Sequence, residues 1–214
     1  MFDNKNIGKF RREYLKEGFL EKDVKTDPIE QFRIWFEEAL ESESFDANSM
    51  TLSTATKDGK PSARIVLIKA IEDSGFIFFT NYESRKGNEI AENPYGFLSF
   101  YWRLLVRQVF IEGKLEKISS KESEDYFHSR PFESQVAALV SPQSRVIFKE
   151  KLEQEFHEMM SKYHGSQVPL PEFWGGYRLR PDRIEFWQGR PNRLHDRIQY
   201  IRDGINWRIE RLAP

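Results

Sequence analysis

Closely spaced strand signals, separated by tight-turn signals, constrain the fold of this chain more than any other feature. Residues 50–56 alternate in polarity and run into the turn Lys57-Asp58-Gly59-Lys60. A second run at 62–70 leads to the turn Glu72-Asp73-Ser74-Gly75, and a third follows at 76–80. Asp-Gly and Ser-Gly between β-branched and aromatic runs are typical of β-hairpins. The pattern therefore predicts antiparallel strands joined by short turns.

Helical signals flank and interrupt these strands. Asp27-Pro28-Ile29-Glu30 combines an N-cap residue with proline at the first helical position, which predicts a helix through about residue 43. Four more helices are predicted at 84–92, 119–128, 132–140 and 144–163. Further strands are predicted at 95–102, 106–118, 174–179, 183–187 and 207–211. The order predicts a mainly β protein with α-helices, built as a small antiparallel barrel with helices packed outside it.

Composition excludes several functional classes. The 214 residues carry 33 Lys and Arg against 34 Asp and Glu, a net charge of -1, which argues against a general nucleic-acid binder. The absence of cysteine excludes disulfides and thiolate metal sites, and the four histidines lack metal-ligand spacing, so no metal is expected. Without an apolar run of membrane-spanning length or a signal-peptide core, we expect a cytoplasmic protein that does not contact membranes.

Two neighbouring segments are candidates for binding anions. Arg64 and Lys69 stand at the two ends of an apolar strand, where alternation places them on opposite faces. Residues 80–86 run from a strand end into a helix start, where free backbone N–H groups beside Arg85 and Lys86 favour phosphate. For the strand alone, ordinary solvated charges explain the pattern equally well.

Other polar residues stand out against apolar surroundings. Gln108 lies within an apolar strand, where its amide would pair either with a heterocycle or with water. Tyr126, Arg130 and Ser134 together offer donors suited to phosphate oxygens. Ser144 precedes the long predicted helix, and helix capping is its simpler interpretation.

The C-terminal region uses only arginine as its strong cation. From Trp174 onward there are nine Arg and no Lys, beside Trp187 and His195. Arginine forms bidentate bonds with phosphate and stacks on flat rings, so the pattern favours an anion or ring site. A charged, solvated hairpin remains the alternative.

Taken in order, these segments resemble the pyridoxamine 5'-phosphate oxidase family of flavin enzymes. The resemblance is carried by RIVLIK at 64–69, TNYESRKGNEI at 80–90, RQV at 107–109, YFHSRP at 126–131, SPQS at 141–144, FWGGYRL at 173–179, IEFWQG with NRLHDR at 184–197, and the ending ERLAP. It implies an FMN-binding split β-barrel, antiparallel and Greek-key-like, that works as a homodimer with active sites across the subunit interface. Residues 1–25 would form a mobile N-terminal segment, and 26–214 a single domain that includes the C-terminal dimerisation and active-site region.

The resemblance also implies roles for individual residues. FMN would be held by Arg64, Ile65, Val66, Leu67, Ile68, Lys69, Phe79, Thr80, Arg85, Lys86, Gln108, Gln143, Ser144, Trp187 and Arg197. The substrate phosphate would be held by Lys69, Tyr126, Arg130 and Ser134, with Arg11 and Tyr14 supplied by the N-terminal segment. Arg193 and His195 would act as the catalytic pair over the pyridine ring. Phe79 stands where the family often has tyrosine.

The reaction implied is the oxidation of pyridoxine 5'-phosphate and pyridoxamine 5'-phosphate to pyridoxal 5'-phosphate, a step of vitamin B6 biosynthesis and salvage. Hydride would pass from the substrate C4' to flavin N5, and O2 would be reduced to H2O2. Two alternatives remain: a split-barrel flavoprotein that oxidises another compound, such as a phenazine precursor, or a non-catalytic carrier or sensor of B6 phosphates. Aerobic peroxide production with pyridoxine 5'-phosphate distinguishes an enzyme from a carrier.

Overall fold

The computed structural model describes residues 18–42 and 45–214, in which β-strands predominate and helices connect them. The helices are α1 (Pro28–Ser42), α2 (Arg85–Glu92), α3 (Ser120–Ser129), α4 (Phe132–Val140) and α5 (Lys149–Tyr163). The strands are β1 (Ser49–Ala55), β2 (Pro61–Leu67), β3 (Ala70–Glu72), β4 (Gly75–Asn81), β5 (Tyr95–Trp102), β6 (Arg107–Lys117), β7 (Trp174–Gln188), β8 (Asp196–Asp203) and β9 (Asn206–Arg211). The predicted mainly β class with helices is confirmed.

Part of the predicted N-terminal segment falls outside the described residues. Residues 1–17, which include Arg11 and Tyr14, belong to that part, so their predicted roles stay predictions. The proposed division at residue 25 stays a prediction as well. None of the helices in the described ranges is long and apolar enough to cross a membrane.

The strands form one sheet in the order β2-β1-β5-β6-β7-β4-β3. Strand β8 also pairs with β7, and β9 pairs with β8. The pairs β1–β2, β3–β4, β4–β7, β7–β8 and β8–β9 are antiparallel. In the first of these, Leu52 stands opposite Arg64, so the register is fixed across the strand that carries the predicted anion-binding residues. β2 lies at one end of the strand order, and its outer edge is therefore free of strand pairing among the described residues.

The chain divides into two compact units, and the first consists of the described part of residues 1–47 with Ser99–Ile111 and Arg183–Pro214. Its core is aromatic. Phe32 and Trp35 on α1 contact Phe100 and Phe186 edge-on, with ring centroids 5.0 and 5.1 Å apart. Helix α1 begins as predicted, because Asp27 Oδ1 accepts a hydrogen bond from the Ile29 N–H at 2.8 Å.

The second unit consists of Asn48–Leu98 and Glu112–Asp182. One of its apolar clusters buries Phe127, Val136, Val168 and Trp174, which brings α3, α4 and the start of β7 together. Helix α3 opens with the predicted capping box, in which Ser119 and Glu122 exchange side-chain and backbone hydrogen bonds.

Two predicted helix and strand boundaries were wrong. The helix predicted at 144–163 begins only at Lys149, because Ser144 has a left-handed φ of 72° and Phe148 is extended. The strand predicted at 62–70 divides into β2 and β3, with Ile68 and Lys69 between them. Ser144 therefore does not cap α5, and the capping interpretation of this residue is wrong.

The C-terminal strands also differ from the prediction. The two strands predicted at 174–179 and 183–187 are one continuous strand, β7. Pro181 is tolerated there because it lies between the segment paired with β4 and the segment paired with β8. Strand β8 was not predicted, because the buried Gln199 interrupts its run of apolar residues. The Gln199 amide is satisfied by a 2.7 Å hydrogen bond to Glu210.

Candidate functional site

A strongly cationic cavity of about 840 Å³ lies in the second unit. Its charged lining residues are Arg64, Lys69, Arg85, Lys86 and Arg130, and no Asp or Glu lines it among the described residues. The remaining lining comes mainly from β2, the end of β4 and the loop after α4. A volume of this size suits a cofactor or small-molecule site, and the charge selects anions.

A buried carboxylate behind this cavity holds two of the arginines. Glu89 on α2 is 4% exposed, and its Oε1 accepts a hydrogen bond from Arg85 Nε at 2.9 Å. Its Oε2 lies 3.4 Å from Arg64 Nη2 and accepts bonds from Thr54 and Ser62, each at 2.5 Å. Burial alone would raise the pKa of Glu89, but the bonds from Ser62, Thr54 and Arg85 lower it to about 2. Glu89 is therefore ionised and fixes both guanidinium groups.

Lys86 presents a buried ammonium group to the same cavity. Its Nζ donates to Gln143 Oε1 at 2.9 Å, Thr80 Oγ1 at 3.1 Å and Ser84 Oγ at 3.2 Å, all neutral oxygens. Burial, and then the charge of Arg64, lowers the pKa of Lys86 to about 8. Among the residues that the structure describes, no carboxylate lies at hydrogen-bond distance from this ammonium group, so it is suited to receive an anion.

Arg130 is a second cation held ready for an anion. Its Nη1 is buried and has no hydrogen-bond partner among the described residues. Burial lowers the pKa of Arg130, although the neighbouring Tyr126 opposes this effect. Tyr126 lines the cavity beside it, stacked on Phe79 with ring centroids 3.8 Å apart. The predicted pairing of Tyr126 and Arg130 therefore occurs at one cavity.

Residues from both faces of β2 line the cavity. Arg64 and Lys69 both belong to its lining, although alternation along a strand predicted that they would face opposite sides. The strand ends at Leu67, so the alternation does not extend to Lys69. Because consecutive residues from 62 to 67 all contribute, the cavity follows the free edge of this strand.

The remaining predicted residues of this unit fall into two groups. Phe79, Thr80, Gln143 and Ser144 line the cavity together with Ile65, Val66 and Leu67. Ile68 is 4% exposed and does not belong to the lining. Ser134 does not belong to it either, but precedes the lining residues Ala137 and Ala138 on α4 by about one turn.

The other predicted residues lie in the first unit. Gln108 and Trp187 line a cavity of about 220 Å³ with Tyr101 and Val106. Arg197 instead forms a bidentate pair with Glu185, with distances of 2.7 and 3.1 Å, and its Nη1 donates to the Ala213 carbonyl at 2.9 Å. Glu185 is 3% exposed, so this pair is a structural element of the unit.

Arg193 and His195 belong to a constrained loop after β7. Asn192 and Arg193 both have left-handed φ values, 56° and 62°, a conformation that asparagine tolerates but that is unfavourable for arginine. The Arg190 N–H donates to His195 Nδ1 at 3.1 Å, which places the proton of the neutral ring on Nε2. Burial, and then the charge of Arg193, lowers the pKa of His195. The ring also lies 4.6 Å from that of Trp187.

Two important residues were missed by the sequence reasoning. Glu89 follows Arg85 by four residues on a helix, a spacing that signals an ion pair. Trp174 was named only as the start of a strand and of the arginine-rich region and as part of a motif, yet it lines the cavity and its ring lies 4.8 Å from the guanidinium carbon of Arg130. No local pattern predicts the contact between Trp174 and Arg130, because these residues are distant in sequence.

Comparison with known families identifies the relatives of this chain. The Pyridoxamine 5'-phosphate oxidase family matches residues 36–167. The chain belongs to the pyridoxamine 5'-phosphate oxidase family. Its residues 174–214 match a second description, the Pyridoxine 5'-phosphate oxidase C-terminal dimerisation region.

Individual members of the pyridoxamine 5'-phosphate oxidase family are similar along nearly the whole chain. A pyridoxine/pyridoxamine 5'-phosphate oxidase of Gloeothece citriformis is 49% identical over 99% of this chain and 100% of its own length. The chloroplastic enzyme 1 of Arabidopsis thaliana is 50% identical over 98% of this chain, which spans only 41% of that longer protein.

Solved structures support the predicted fold. PhzG from Burkholderia lata, solved with tetrahydrophenazine-1-carboxylic acid, is 31% identical with a TM-score of 0.86, covering 90% of this chain and 95% of its own. An FMN-binding, pyridoxamine 5'-phosphate oxidase-related protein of Nostoc punctiforme has a TM-score of 0.68 at 18% identity, covering 86% and 97%. These likenesses confirm the split-barrel fold.

Proposed function

We propose that this protein oxidises pyridoxine 5'-phosphate and pyridoxamine 5'-phosphate to pyridoxal 5'-phosphate with FMN as its cofactor. The observation that carries the proposal is a cavity lined by five cationic residues and, among the described residues, no acidic ones. The chain is also 49% identical to a pyridoxine/pyridoxamine 5'-phosphate oxidase. Both FMN and the B6 substrates are phosphate monoesters, so one site must bind two phosphate groups. The cations of the cavity suit that requirement.

The residues present fit the phosphate of FMN. Arg64 and Arg85 are fixed by Glu89, and Lys86 stands at the start of α2, where the helix dipole favours negative charge. Bound FMN would supply the redox chemistry, accepting a hydride from the substrate C4' and passing the electrons to O2 to give H2O2. Gln143 positions Lys86 through their 2.9 Å hydrogen bond.

A second group of residues suits the substrate phosphate. Arg130 offers a buried N–H without a partner among the described residues, and Tyr126 and Lys69 line the same cavity. We assign Arg193 to orienting the substrate ring and His195 to positioning it. The bond from the Arg190 N–H to Nδ1 places the proton of neutral His195 on Nε2, and the lowered pKa of His195 favours this neutral form at neutral pH. Gln108, Trp187 and Arg197 are proposed flavin contacts of the first unit.

The proposed working form is a homodimer. Residues 174–214 match a dimerisation region, and they include Trp187, Arg193, His195 and Arg197. Sedimentation analysis of the purified protein with and without FMN tests this assembly. A monomer under both conditions contradicts it.

One experiment tests the function. The purified protein is titrated with FMN, supplied with pyridoxine 5'-phosphate under air, and monitored for pyridoxal 5'-phosphate and peroxide. We expect a yellow holoprotein that forms both products in equal amounts. Failure to bind FMN contradicts the proposal, and FMN binding without turnover favours a carrier.

Oxidation of a phenazine precursor is the second candidate. The structural likeness to PhzG, with 31% identity, favours it. Arg130 argues for a substrate that carries a phosphate, because it lines the cavity and its Nη1 has no hydrogen-bond partner in the described part of the chain. Turnover of a reduced phenazine carboxylate faster than pyridoxine 5'-phosphate would reverse this preference.

A further inference from the structure

Trp174 shares the cavity with Arg130 but belongs to none of the groups assigned above. The guanidinium carbon of Arg130 lies 4.8 Å from the centre of the Trp174 ring and 5.7 Å from that of Phe127. Both rings are buried, and they meet edge-on with centroids 5.2 Å apart. A cation on two buried aromatic faces is attracted to them without losing its hydrogen-bonding capacity.

The backbone of Arg130 is fixed independently of its side chain. Its N–H donates to the Phe127 carbonyl at 3.3 Å as the last bond of α3, and its carbonyl accepts from Gln135 Nε2 at 2.8 Å. Pro131 follows and restricts the residue further. The remaining freedom is in the side-chain torsions, and the ring contacts are what restrict them.

Trp174 is itself held firmly. It pairs with Asn81 in the register of β4 and β7, and its N–H donates to the Pro171 carbonyl at 3.0 Å. Its ring lies within 14° of parallel to Phe79 and 4° of parallel to Tyr126. The support beneath Arg130 is therefore rigid, and it is continuous with the ring of Tyr126, the other predicted phosphate ligand.

We propose that Trp174 is a positioning residue, which acts through Arg130 by holding its guanidinium group over an aromatic face in the lining of the cavity, ready for the substrate phosphate. A carboxylate could also orient the guanidinium, but it would compete with phosphate for the same donors. An aromatic face fixes the cation and leaves those donors available. The inference rests on the proposed function, because it takes a phosphorylated substrate as the occupant.

Two substitutions of Trp174 form the main test. Trp174→Phe keeps a weaker aromatic face, and Trp174→Leu removes it. We expect Kd for pyridoxal 5'-phosphate, measured by calorimetry on the FMN-loaded protein, to rise about threefold and about tenfold respectively. KM for pyridoxine 5'-phosphate should rise in parallel, whereas kcat and the Kd of FMN should stay within about twofold of wild type. Phe156→Leu, which alters the same apolar cluster away from Arg130, is the matched control.

A double-mutant cycle separates positioning from general packing. If Trp174 acts through Arg130, then Trp174→Phe has no further effect on the Kd of pyridoxal 5'-phosphate in an Arg130→Gln background. A full additive effect there, or unchanged Kd values in both single variants, overturns the inference. If Trp174→Leu does not fold, the Kd values of Trp174→Phe and of the double-mutant cycle test the inference. An inactive wild type that still binds pyridoxal 5'-phosphate contradicts the proposed function, and the binding series still tests Trp174.

Discussion

Replacing Lys86 with methionine should weaken FMN binding without weakening the apoprotein. Methionine matches the length of the lysine stem but has no charge. In the apoprotein, Lys86 is 8% exposed, and its ammonium group bonds three neutral oxygens. Its loss therefore removes both a buried charge and three hydrogen bonds.

The magnitudes of these two effects are similar. A pKa lowered from 10.5 to about 8 corresponds to about 3 kcal/mol of unfavourable burial at neutral pH. The three hydrogen bonds contribute about 1 kcal/mol each, so their loss nearly cancels the relief. A charge-assisted bond to the FMN phosphate contributes about 2 kcal/mol, and its loss raises the Kd of FMN about 30-fold.

The lowered pKa of Lys86 predicts how the affinity for FMN depends on pH. Because the pKa of Lys86 is lower in the folded protein than in the unfolded chain, the unfolded chain binds more protons between pH 8 and 10.5. Apoprotein stability should therefore gain from this group as pH rises through that window. FMN favours the charged lysine, so its affinity should fall as pH rises above about 8. The phosphate itself has finished titrating by about pH 7.

Fluorescence titration of FMN at several pH values between 7 and 9.5, with thermal melts of the apoprotein, measures both effects. Lys121→Met, at an exposed lysine on α3, is the matched control and should behave as wild type. The reasoning is refuted if Lys86→Met binds FMN as wild type does at pH 7. A wild-type affinity that stays constant up to pH 9.5 refutes the pH argument.

Three further predictions concern other charged residues. Glu89→Gln should destabilise the protein by up to about 3 kcal/mol at pH 7, because the pKa of Glu89 is lowered from 4.5 to about 2. Wild type should lose this contribution as pH falls through that interval. Equal denaturation midpoints of the two proteins at pH 7 would contradict the prediction. Arg193→Leu should lower kcat/KM about 10- to 100-fold while FMN stays bound, and unchanged steady-state kinetics would remove Arg193 from the site. Arg197→Gln should destabilise the protein by about 3 kcal/mol, because it leaves Glu185 buried and without its partner. Adding Glu185→Gln to the same chain should restore much of the lost stability. A melting temperature of the Arg197→Gln variant equal to that of wild type would show that the pair is not structural.

Sequence reasoning succeeded where local chemistry determines the structure. Asp27 with Pro28, and Ser119 with Glu122, fix helix starts through bonds within a few residues, and both starts were predicted. Prediction failed where tertiary contacts override local preference. Strands were predicted separately at 174–179 and 183–187, but pairing with β4 and then with β8 makes them one continuous strand, β7.

The residues of the candidate site likewise include some that local sequence predicts and others that only tertiary packing places there. Arg85 and Lys86 could be predicted because a strand end followed by a helix start makes an anion site within one segment. The placement of Lys69 beside Arg64 depends on the end of β2 at Leu67, which the apolar run conceals. Trp174 and Arg130 meet only through the packing of β7 against α3, and their contact needed the structure.

The ionised carboxylate of Glu89 has a consequence for which flavins this site accepts. Arg64, Arg85 and Lys86 carry three positive charges at neutral pH, and Glu89 permanently neutralises one of them. The remaining two match a phosphate monoester in its dianionic form. A flavin without a phosphate carries no charge at that group and leaves both of these cations uncompensated. We therefore expect the charge of the cluster to discriminate against unphosphorylated flavins.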